Sequence, residues 1–421
     1  MILQINNIIF LKGRVKMSEI NREKEESIKN MSFTTRAIHI GNEPDPATGA
    51  IEPPINMANS FVLPYDPSTM NWSASEGNIY TRNGGVNQGL LQKKIANLEG
   101  GEDCVCLASG VAALSALFFT KLKKGDHVIF SKVTYIATYR IFNELWCDKW
   151  GIETSIVDCT DIEAIKAAIR PNTRLIHFET PGNPTLCICD IEAIVKLAHE
   201  HGILVSADNT FSSPYNTRPL EYGVDFVVES LTKYINGHGD SMGGAIIGNH
   251  EDMEKIRYQA QVNIGGVISP FNAWLIMRGA VTFPLRMQVH NDNALAVARW
   301  LEKQPCVSFV AYPGLESHKG HELAVKQMEH GFGGVLCFGL KGEHDLYNRV
   351  VTHLNVFTSA VSLGHDASLI VFLGEDDERM YLYPEEFHGG FYRVAIGIED
   401  KNDLIADLKQ AFKAEGLETA D

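Results

Sequence analysis

Residues 230–240, SLTKYINGHGD, contain a lysine whose neighbours suit covalent chemistry on a carbonyl compound. Lys233 lies between the hydroxyl residues Ser230 and Thr232 and a stretch rich in glycine. An amine attacks a carbonyl to form a Schiff base, and hydroxyls beside exposed backbone amides bind anions. The combination therefore predicts a site that holds a reactive carbonyl and an anion together, although a lone lysine after a strand is usually solvated.

Two other interpretations of the same residues are weaker. Residues 230–233 fit the S-x-x-K pattern of penicillin-binding enzymes, but no S-D-N or K-T-G sequence accompanies it. Residues 237–239, Gly-His-Gly, resemble the start of a dinucleotide loop, but the third glycine is misplaced and no helix follows promptly.

Polar residues follow several apolar, strand-like runs elsewhere in the chain. Ser109 and Gly110 follow DCVCLA, residues 179–184 begin at the end of RLIHFET, and Asp208 ends ILVSAD. In a parallel sheet the carboxyl ends of the strands meet at one edge, where ligands bind. We therefore expect these residues to converge with Lys233 on one pocket, although Asp208 alone would also suit a turn.

Short apolar strands alternate with helices from about residue 86 onward, which predicts a mostly parallel sheet covered by helices. Asp161 is a candidate N-cap of an amphipathic helix. Beyond about residue 285 the pattern changes, and a long helix over 287–303 leads into a smaller α+β region. The strand predictions are DCVCLA, HVIFS, ETSIVD, RLIHFET, ILVSAD, VDFVVES and GGAIIG, and the helix predictions include 87–99, VAALSALFF, 161–169 and 190–202.

Composition excludes some classes of protein. The 421 residues carry a formal net charge of −15, which argues against a nucleic-acid binder. The apolar run at the N-terminus is too short to span a bilayer, so we expect no membrane partner. The eight cysteines are expected to be reduced and mostly buried in a cytoplasmic protein. Translation could begin at Met1, Met17 or Met31, and residues 1–32 are predicted to be a flexible extension.

Seven motifs in order resemble the Cys/Met-metabolism family of pyridoxal-phosphate (PLP) enzymes, which includes cystathionine γ-synthase, cystathionine lyases, methionine γ-lyase and O-acylhomoserine sulfhydrylases. The gap of 25 residues between Asp208 and Lys233 also matches that family. The resemblance runs from about Thr34 to the C-terminus. The motifs are YTR at 80–82, SGVAAL at 109–114, ETPGNP at 179–184, ADNTF at 207–211, SLTKYINGHGD at 230–240, SLG at 362–364 and YRVAIGIED at 392–400.

This resemblance implies an aspartate-aminotransferase-like fold, also called fold type I, with a mostly parallel seven-stranded sheet and a smaller C-terminal α+β domain. Residues 33–84 would form an arm that contacts a neighbouring subunit. Residues 85–286 would form the PLP-binding domain, and residues 287–421 the C-terminal domain.

The resemblance also implies pyridoxal 5'-phosphate as cofactor. Lys233 would carry it as a Schiff base and move protons, and Asp208 would keep its pyridine nitrogen protonated. Ser109 and the amides of Gly110 and Val111, at a helix N-terminus, would bind the phosphate.

Further roles follow from the same resemblance. Ser230 and Thr232 would add phosphate contacts. Tyr135 would stack on the ring and act as an acid or base, and Asn183 would hydrogen-bond near the cofactor's 3' oxygen. Arg393 would bind the substrate α-carboxylate with Ser362 beside it.

Two residues would act across a subunit interface. Tyr80 and Arg82 match residues that, in the family, reach the phosphate of the neighbouring subunit. This implies a homo-oligomer, typically a tetramer built from dimers that share active sites.

Four segments depart from the family pattern, mostly on the substrate side. They are residues 84–87 (GGVN), Ile136 and Ala137 after Tyr135, Ala367 where many members have a glutamate, and residues 372–387 (FLGEDDERMYLYPEEF). The loss of a carboxylate at Ala367 predicts weak selection for the distal ammonium of cystathionine. Asp366 or the acidic residues 375–378 could supply a replacement.

We therefore expect a PLP enzyme that eliminates a γ- or β-substituent from a sulfur-containing amino acid. One alternative is γ-replacement on an O-acylhomoserine. A second is a PLP-binding regulatory protein with little catalysis.

Overall fold

The computed structural model of the chain describes residues 21–63, 65–70, 79–374 and 376–420. Within these ranges the polypeptide forms two sheets with helices packed around them. Most of the predicted N-terminal extension lies outside the described residues, and residues 21–28 are helical.

The larger sheet has seven strands in the order β1-β7-β6-β5-β4-β2-β3. Strands β2 to β6 pair in parallel, and β7 is antiparallel to both β1 and β6. All seven coincide with predicted apolar runs, because runs of buried aliphatic residues favour the interior of a parallel sheet. The strands are β1 Asp103–Leu107, β2 His127–Ser131, β3 Glu153–Val157, β4 Thr173–Glu179, β5 Leu204–Asp208, β6 Phe226–Glu229 and β7 Gly244–Gly248.

Helices pack against this sheet, and several of them begin at side-chain caps that the sequence supplies. Asp161 accepts hydrogen bonds from the amides of Glu163 and Ala164, as predicted. Helices up to the long one are Phe33–His39, Val86–Glu99, Gly110–Lys121, Ile136–Arg140, Trp146–Trp150, Ile162–Ala168, Ile191–Glu200, Ser213–Asn216, His250–Ile256 and Pro270–Val281, with π-helical turns at Ile141–Leu145 and Arg257–Val262 and 3-10 turns at Pro67–Thr69 and Pro219–Tyr222.

The long helix spans Phe283–Leu301 and so begins four residues before the predicted start. Pro284 lies in its first turn, where a proline stabilises a helix start because its missing N–H has no acceptor there. The predicted boundary at 286/287 therefore falls within a continuous helix, and the division of the chain into domains stays a prediction.

The smaller sheet has the order β10-β11-β12-β9-β8 and follows the long helix. Strand β12 pairs antiparallel with both β9 and β11, which places Arg393 opposite Cys337 and Val371. The elements are β8 Val307–Ala311, β9 Val335–Leu340, β10 Thr358–Ser359, β11 Leu369–Leu373, β12 Phe391–Ala395 and helices His321–Gln327, His344–Thr352 and Lys401–Ala414, with 3-10 turns at Met380–Leu382 and Glu385–Phe387.

The cysteines are free thiols, and six of the eight are buried. This agrees with the expectation of reduced, mostly buried cysteines. In the described part of the chain, no helix is long and apolar enough to cross a membrane.

Candidate active site

The carboxyl ends of the central strands open into a cavity of about 680 Å3. Residues from both sheets line it, so the site lies where the two sheets approach each other. It brings together most of the residues that the sequence predicted. Of the predicted residues, those lining it are Ser109, Gly110, Val111, Tyr135, Asn183, Asp208, Ser230, Thr232, Lys233, Ser362 and Arg393.

Lys233 presents its amine to this cavity just after β6. Its Nζ donates to Ser362 Oγ at 2.8 Å, and Ser362 Oγ lies 3.1 Å from His365 Nε2. Burial, together with the nearby Arg393, lowers the pKa of Lys233 to about 8. A nucleophilic amine needs its neutral form, so this environment favours attack on a carbonyl.

Ser362 has a φ of 121°, a backbone conformation that L-residues rarely adopt. Its hydroxyl meets the Lys233 amine, and its carbonyl oxygen accepts from Arg393 Nη2 at 3.4 Å. Backbone strain of this kind collects at functional sites where the surrounding contacts hold it in place. Ser362 therefore links the amine to the predicted carboxylate-binding arginine.

Asp208 ends β5 directly beside Glu179, which ends β4. Burial raises the pKa of Asp208, and the amide of Thr210 donates to its Oδ1 at 3.0 Å. Burial and the neighbouring Asp208 raise the pKa of Glu179 to about 8. Among the described residues no cation pairs with Asp208. A buried carboxyl of this kind is suited to pair with a protonated ring nitrogen.

A cradle for an anion forms where helix Gly110–Lys121 begins. Ser109 caps this helix by accepting from the amide of Ala112 at 3.1 Å. The first amides of a helix have no acceptor within it, and the helix dipole favours an anion there. Gly110 packs so closely that an added Cβ would lie 2.9 Å from the Cβ of Ser230. The cradle thus joins this helix start to the hydroxyl residues before Lys233.

Arg393 extends from β12 into the opposite side of the cavity. Its Nη1 donates to Asn183 Oδ1 at 3.1 Å, and burial lowers its pKa from the ordinary value of an arginine. Asn183 follows Glu179, whose Oε2 accepts from the Asn183 amide at 3.3 Å. The guanidinium is thus oriented before any ligand arrives, which suits the binding of a carboxylate.

Tyr135 lies between these two sides, immediately before helix Ile136–Arg140. Its backbone amide donates to Glu179 Oε1, which also accepts from the Thr134 hydroxyl at 2.7 Å. Tyr135 lines the cavity, and the residue is 39% exposed.

Tyr80 and Arg82 are not among the residues that line the cavity. Both are exposed, and the Arg82 guanidinium lies 5.1 Å from the centre of the Tyr80 ring. Their predicted action on the site of a neighbouring subunit stays a prediction.

The cavity also contains residues to which the sequence analysis gave no chemical role. Glu179 belongs to the ETPGNP motif, whose position at a strand end was the available signal. Thr210 bridges Asp208 to the amide of Ser230, and Arg379 comes from the segment that departs from the family pattern. A segment that departs from the family pattern can therefore indicate where additional cavity residues come from.

These groups fit pyridoxal 5'-phosphate by their chemistry. Lys233 offers an amine for its aldehyde, Asp208 a buried carboxyl for its ring nitrogen, and the Ser109–Ser230 cradle donors for its phosphate. The arrangement leaves Arg393 on the side where an amino-acid substrate would bind.

Comparison with known proteins supports a PLP-dependent chemistry for this site. A family model described as Cys/Met metabolism PLP-dependent enzyme matches residues 34–413. The chain is 52% identical to a canavanine gamma-lyase of Rhizobium leguminosarum bv. trifolii, with 92% of this chain and 98% of that protein covered. It is 49% identical to a canavanine gamma-lyase of Pseudomonas canavaninivorans, with 93% and 98% covered.

More distant relatives include an L-methionine gamma-lyase of Pseudomonas putida, which is 38% identical over 92% of this chain and 99% of that protein. Among solved structures, the crystal structure of metB from Corynebacterium glutamicum matches with a TM-score of 0.85 at 38% identity. That match covers 92% of this chain and 99% of the other.

These similarities confirm the predicted fold type I architecture, the PLP cofactor and an enzyme that eliminates a γ-substituent. The chain belongs to the Cys/Met-metabolism family of PLP-dependent enzymes.

Proposed function

We propose that the enzyme eliminates the γ-substituent of L-canavanine, in which a guanidine group is attached to Cγ through oxygen. The two relatives at 49% and 52% identity are canavanine gamma-lyases, whereas the methionine gamma-lyase of P. putida is 38% identical. The sequence alone predicted a sulfur-containing substrate. Its alternative, an O-acylhomoserine, already has an oxygen-linked leaving group, and similarity to the canavanine lyases adds an oxyguanidine to the candidates, with methionine as the second candidate.

The observation that carries this proposal is the arrangement of the Lys233 amine and the Arg393 guanidinium around one cavity. Lys233 Nζ and Arg393 both contact Ser362, so an α-amino acid held by Arg393 has its Cα near the amine. The bound cofactor supplies an electron sink for negative charge next to its imine carbon. Lys233 Nζ would take a proton from Cα and then one from Cβ, so that a double bond can form between Cβ and Cγ, and Tyr135 Oη would give a proton to the leaving group as its bond to Cγ breaks.

The remaining roles are proposals as well. Asp208 would hold the ring nitrogen protonated. Ser109, Gly110, Val111, Ser230 and Thr232 would hold the phosphate, and Asn183 would orient both Arg393 and the cofactor's ring oxygen. Each of these residues lines the same cavity, which supports the assignment.

We also propose that the active enzyme is a homo-oligomer, a tetramer built from two dimers in which Tyr80 and Arg82 complete a neighbour's site. Large apolar side chains are exposed in the predicted arm, residues 33–84, which supports burial against a second copy. They include Ile51 at 79%, Met57 at 65% and Val62 at 100% exposed. The free thiols support a cytoplasmic location.

A substrate comparison tests the proposed activity. The purified enzyme is incubated with canavanine, methionine, homocysteine, cystathionine and an O-acylhomoserine, and release of the leaving group is measured by mass spectrometry with 2-oxo acid and ammonia alongside. We expect kcat/KM to be highest for canavanine and low for cystathionine, because Ala367 offers no carboxylate to its distal ammonium. A clear preference for cystathionine would show the interpretation of Ala367 to be wrong, and turnover of none would refute the proposed activity.

A further inference from the structure

A second arginine reaches the active-site cavity from the segment that departs from the family pattern. Arg379 is 6% exposed and lines the same cavity as Arg393. Its Nε and Nη2 donate to the two oxygens of Asp377 at 3.0 and 2.8 Å. Its Nη1 donates to the carbonyl oxygen of Thr134, the residue before Tyr135. Arg379 is therefore fixed beside the residue proposed to protonate the leaving group.

The surrounding contacts keep this arginine in place. Tyr383 donates to Asp377 Oδ2 at 2.9 Å, and its ring centre lies 5.5 Å from the Arg379 guanidinium. On the outside of the same segment, Arg140 Nε donates to Glu378 Oε1 at 2.8 Å. The segment is thus docked on helix Ile136–Arg140, which begins directly after Tyr135. A binding group held by packing and ion pairs loses little freedom when a ligand arrives.

Arg379 keeps hydrogen-bonding capacity for a ligand. A guanidinium has five N–H donors, and the three contacts with Asp377 and Thr134 use three of them. One N–H on each terminal nitrogen has no partner among the residues that the structure describes. A ligand with oxygen or nitrogen acceptors can use these donors without breaking the ion pair with Asp377.

The charges around the cavity restrict what such a ligand can be. Arg379 and Arg393 line the same cavity, and like charges there oppose the binding of a further cation. Asp377, which belongs to the acidic residues that could have replaced the carboxylate missing at Ala367, is already paired with Arg379. One arginine suffices for the α-carboxylate. The second has only N–H donors left to offer, so it favours a group with acceptor atoms at the far end of the substrate, which a guanidinium lacks.

Resting on the proposed γ-elimination, we propose that Arg379 recognises the γ-substituent by donating to an uncharged oxyguanidine. The electron-withdrawing oxygen makes an oxyguanidine a far weaker base than the guanidine of arginine, so it is available uncharged near neutral pH. Arginine has nearly the same shape as canavanine but keeps its positive charge. Arg379 would thus admit canavanine and reject arginine, a discrimination that shape alone does not provide.

The test replaces Arg379 and compares ligands. In R379M we expect kcat/KM for canavanine to fall about 10- to 100-fold, as expected for loss of hydrogen bonds from a charged donor. The kcat/KM for methionine, which has no strong acceptor at that position, should change less than about threefold. Inhibition by L-arginine, which cannot lose its carbon-linked substituent in the same way, should strengthen because a repelling charge is gone. Measuring kcat/KM for O-succinylhomoserine in the same variant tests whether Arg379 instead binds a distal carboxylate.

Controls separate specificity from folding. R379M leaves Asp377 unpaired, so the double variant D377N/R379M removes both charges, and cofactor absorbance and Tm report an intact site. R140Q removes an arginine that tethers the same segment but is not among the cavity-lining residues, and it should leave all ratios unchanged. Equal losses on canavanine and methionine in folded variants, or a loss confined to O-succinylhomoserine, would overturn the assignment of Arg379. A wild-type enzyme inactive on every γ-substituted amino acid would instead refute the proposed function.

Discussion

Beneath the cofactor side of the active site, Glu99 and Glu229 form a pair of fully buried carboxyl groups. Glu229 directly precedes Ser230, and Asn209, which follows Asp208, donates to Glu99 Oε1 at 3.0 Å. Burial raises the pKa of Glu99 to about 7, and burial together with Glu99 raises that of Glu229 well above its ordinary value. The pair therefore shares a proton in the folded protein near neutral pH.

This sharing predicts a dependence of stability on pH. The pKa of Glu99 is higher in the folded state than the unfolded value near 4.5, so the folded state binds the proton more tightly. The stabilisation is fully present below about pH 4.5 and is lost as pH rises through about 7. In E99Q the side chain stays neutral, so between pH 5 and pH 8 the wild type should lose on the order of 1–3 kcal/mol relative to this variant. Thermal unfolding at several pH values measures the difference.

Glu163 provides the matched control because its side chain is 82% exposed. E163Q removes one carboxylate without changing a buried site, and it should follow the wild-type pH dependence. If E99Q and the wild type lose stability in parallel from pH 5 to pH 8, Glu99 does not hold a proton in the folded state.

At the scale of single residues, the sequence predicted those that are proposed to take part directly in the chemistry. Lys233, Asp208 and Arg393 stand in motifs whose order and spacing identify them, and the cavity brings them together. Arg379 could not be predicted in the same way. Its position depends on how residues 376–387 fold back onto helix Ile136–Arg140, and no local periodicity encodes such a long-range contact.

At the scale of elements, the sequence was most informative for the larger sheet. Short aliphatic runs in the sequence indicate buried strands, and capping residues such as Asp161 indicate where helices begin. The start of the long helix was placed too late, because residues 283–286 include a proline that indicates a boundary as readily as a first turn. The pairing order of the strands is not local information, since it depends on which helices pack on which face.

The close contact between helix Gly110–Lys121 and the loop before Lys233 yields a prediction at this scale. In G110A the new methyl group would lie 2.9 Å from the Cβ of Ser230, so the helix start must shift away from it. Because both sides of this contact belong to the proposed phosphate cradle, we expect PLP affinity to fall about 10-fold or more. Equilibrium dialysis of the apoenzyme with PLP measures this.

Gly89 supplies the control for that substitution. It lies within helix Val86–Glu99, and a methyl group added there meets nothing within 4 Å. G89A should bind PLP like the wild type and be equally or slightly more stable, because alanine favours a helix over glycine. Unchanged PLP affinity in G110A would place the phosphate elsewhere.

At the scale of the whole molecule, the chain leaves two of its predicted site residues outside its own cavity. Tyr80 and Arg82 are exposed and stacked on each other, in an arm that also exposes several large apolar side chains. A monomer would keep this apolar surface in water and leave the cavity without these two residues. Association of at least two copies would bury the apolar surface of the arm and supply Tyr80 and Arg82 to the cavity of a neighbour.

Mixed oligomers test this arrangement directly. The K233A chain lacks the amine, and the R82A chain lacks the residue proposed to reach across the interface, so each alone should be nearly inactive. A hybrid dimer contains one site built from the intact Lys233 of one chain and the intact Arg82 of the other. Refolding the two chains together in equal amounts should therefore restore up to about a quarter of wild-type activity, since about half the dimers are hybrid and one of their two sites is complete.

The control for the hybrid pairs two changes that both lie within one cavity, K233A and R393A. Lys233 and Arg393 line the same cavity, and both come from the chain that forms it. In this mixed dimer one cavity therefore lacks the Lys233 amine and the other lacks the Arg393 guanidinium, so neither site is complete. Mixing these two chains should restore nothing. Mass spectrometry of differently tagged chains confirms that mixed oligomers form. If they form and the K233A and R82A pair is still inactive, Arg82 serves the cavity of its own chain, and the arm contacts its neighbour for packing alone.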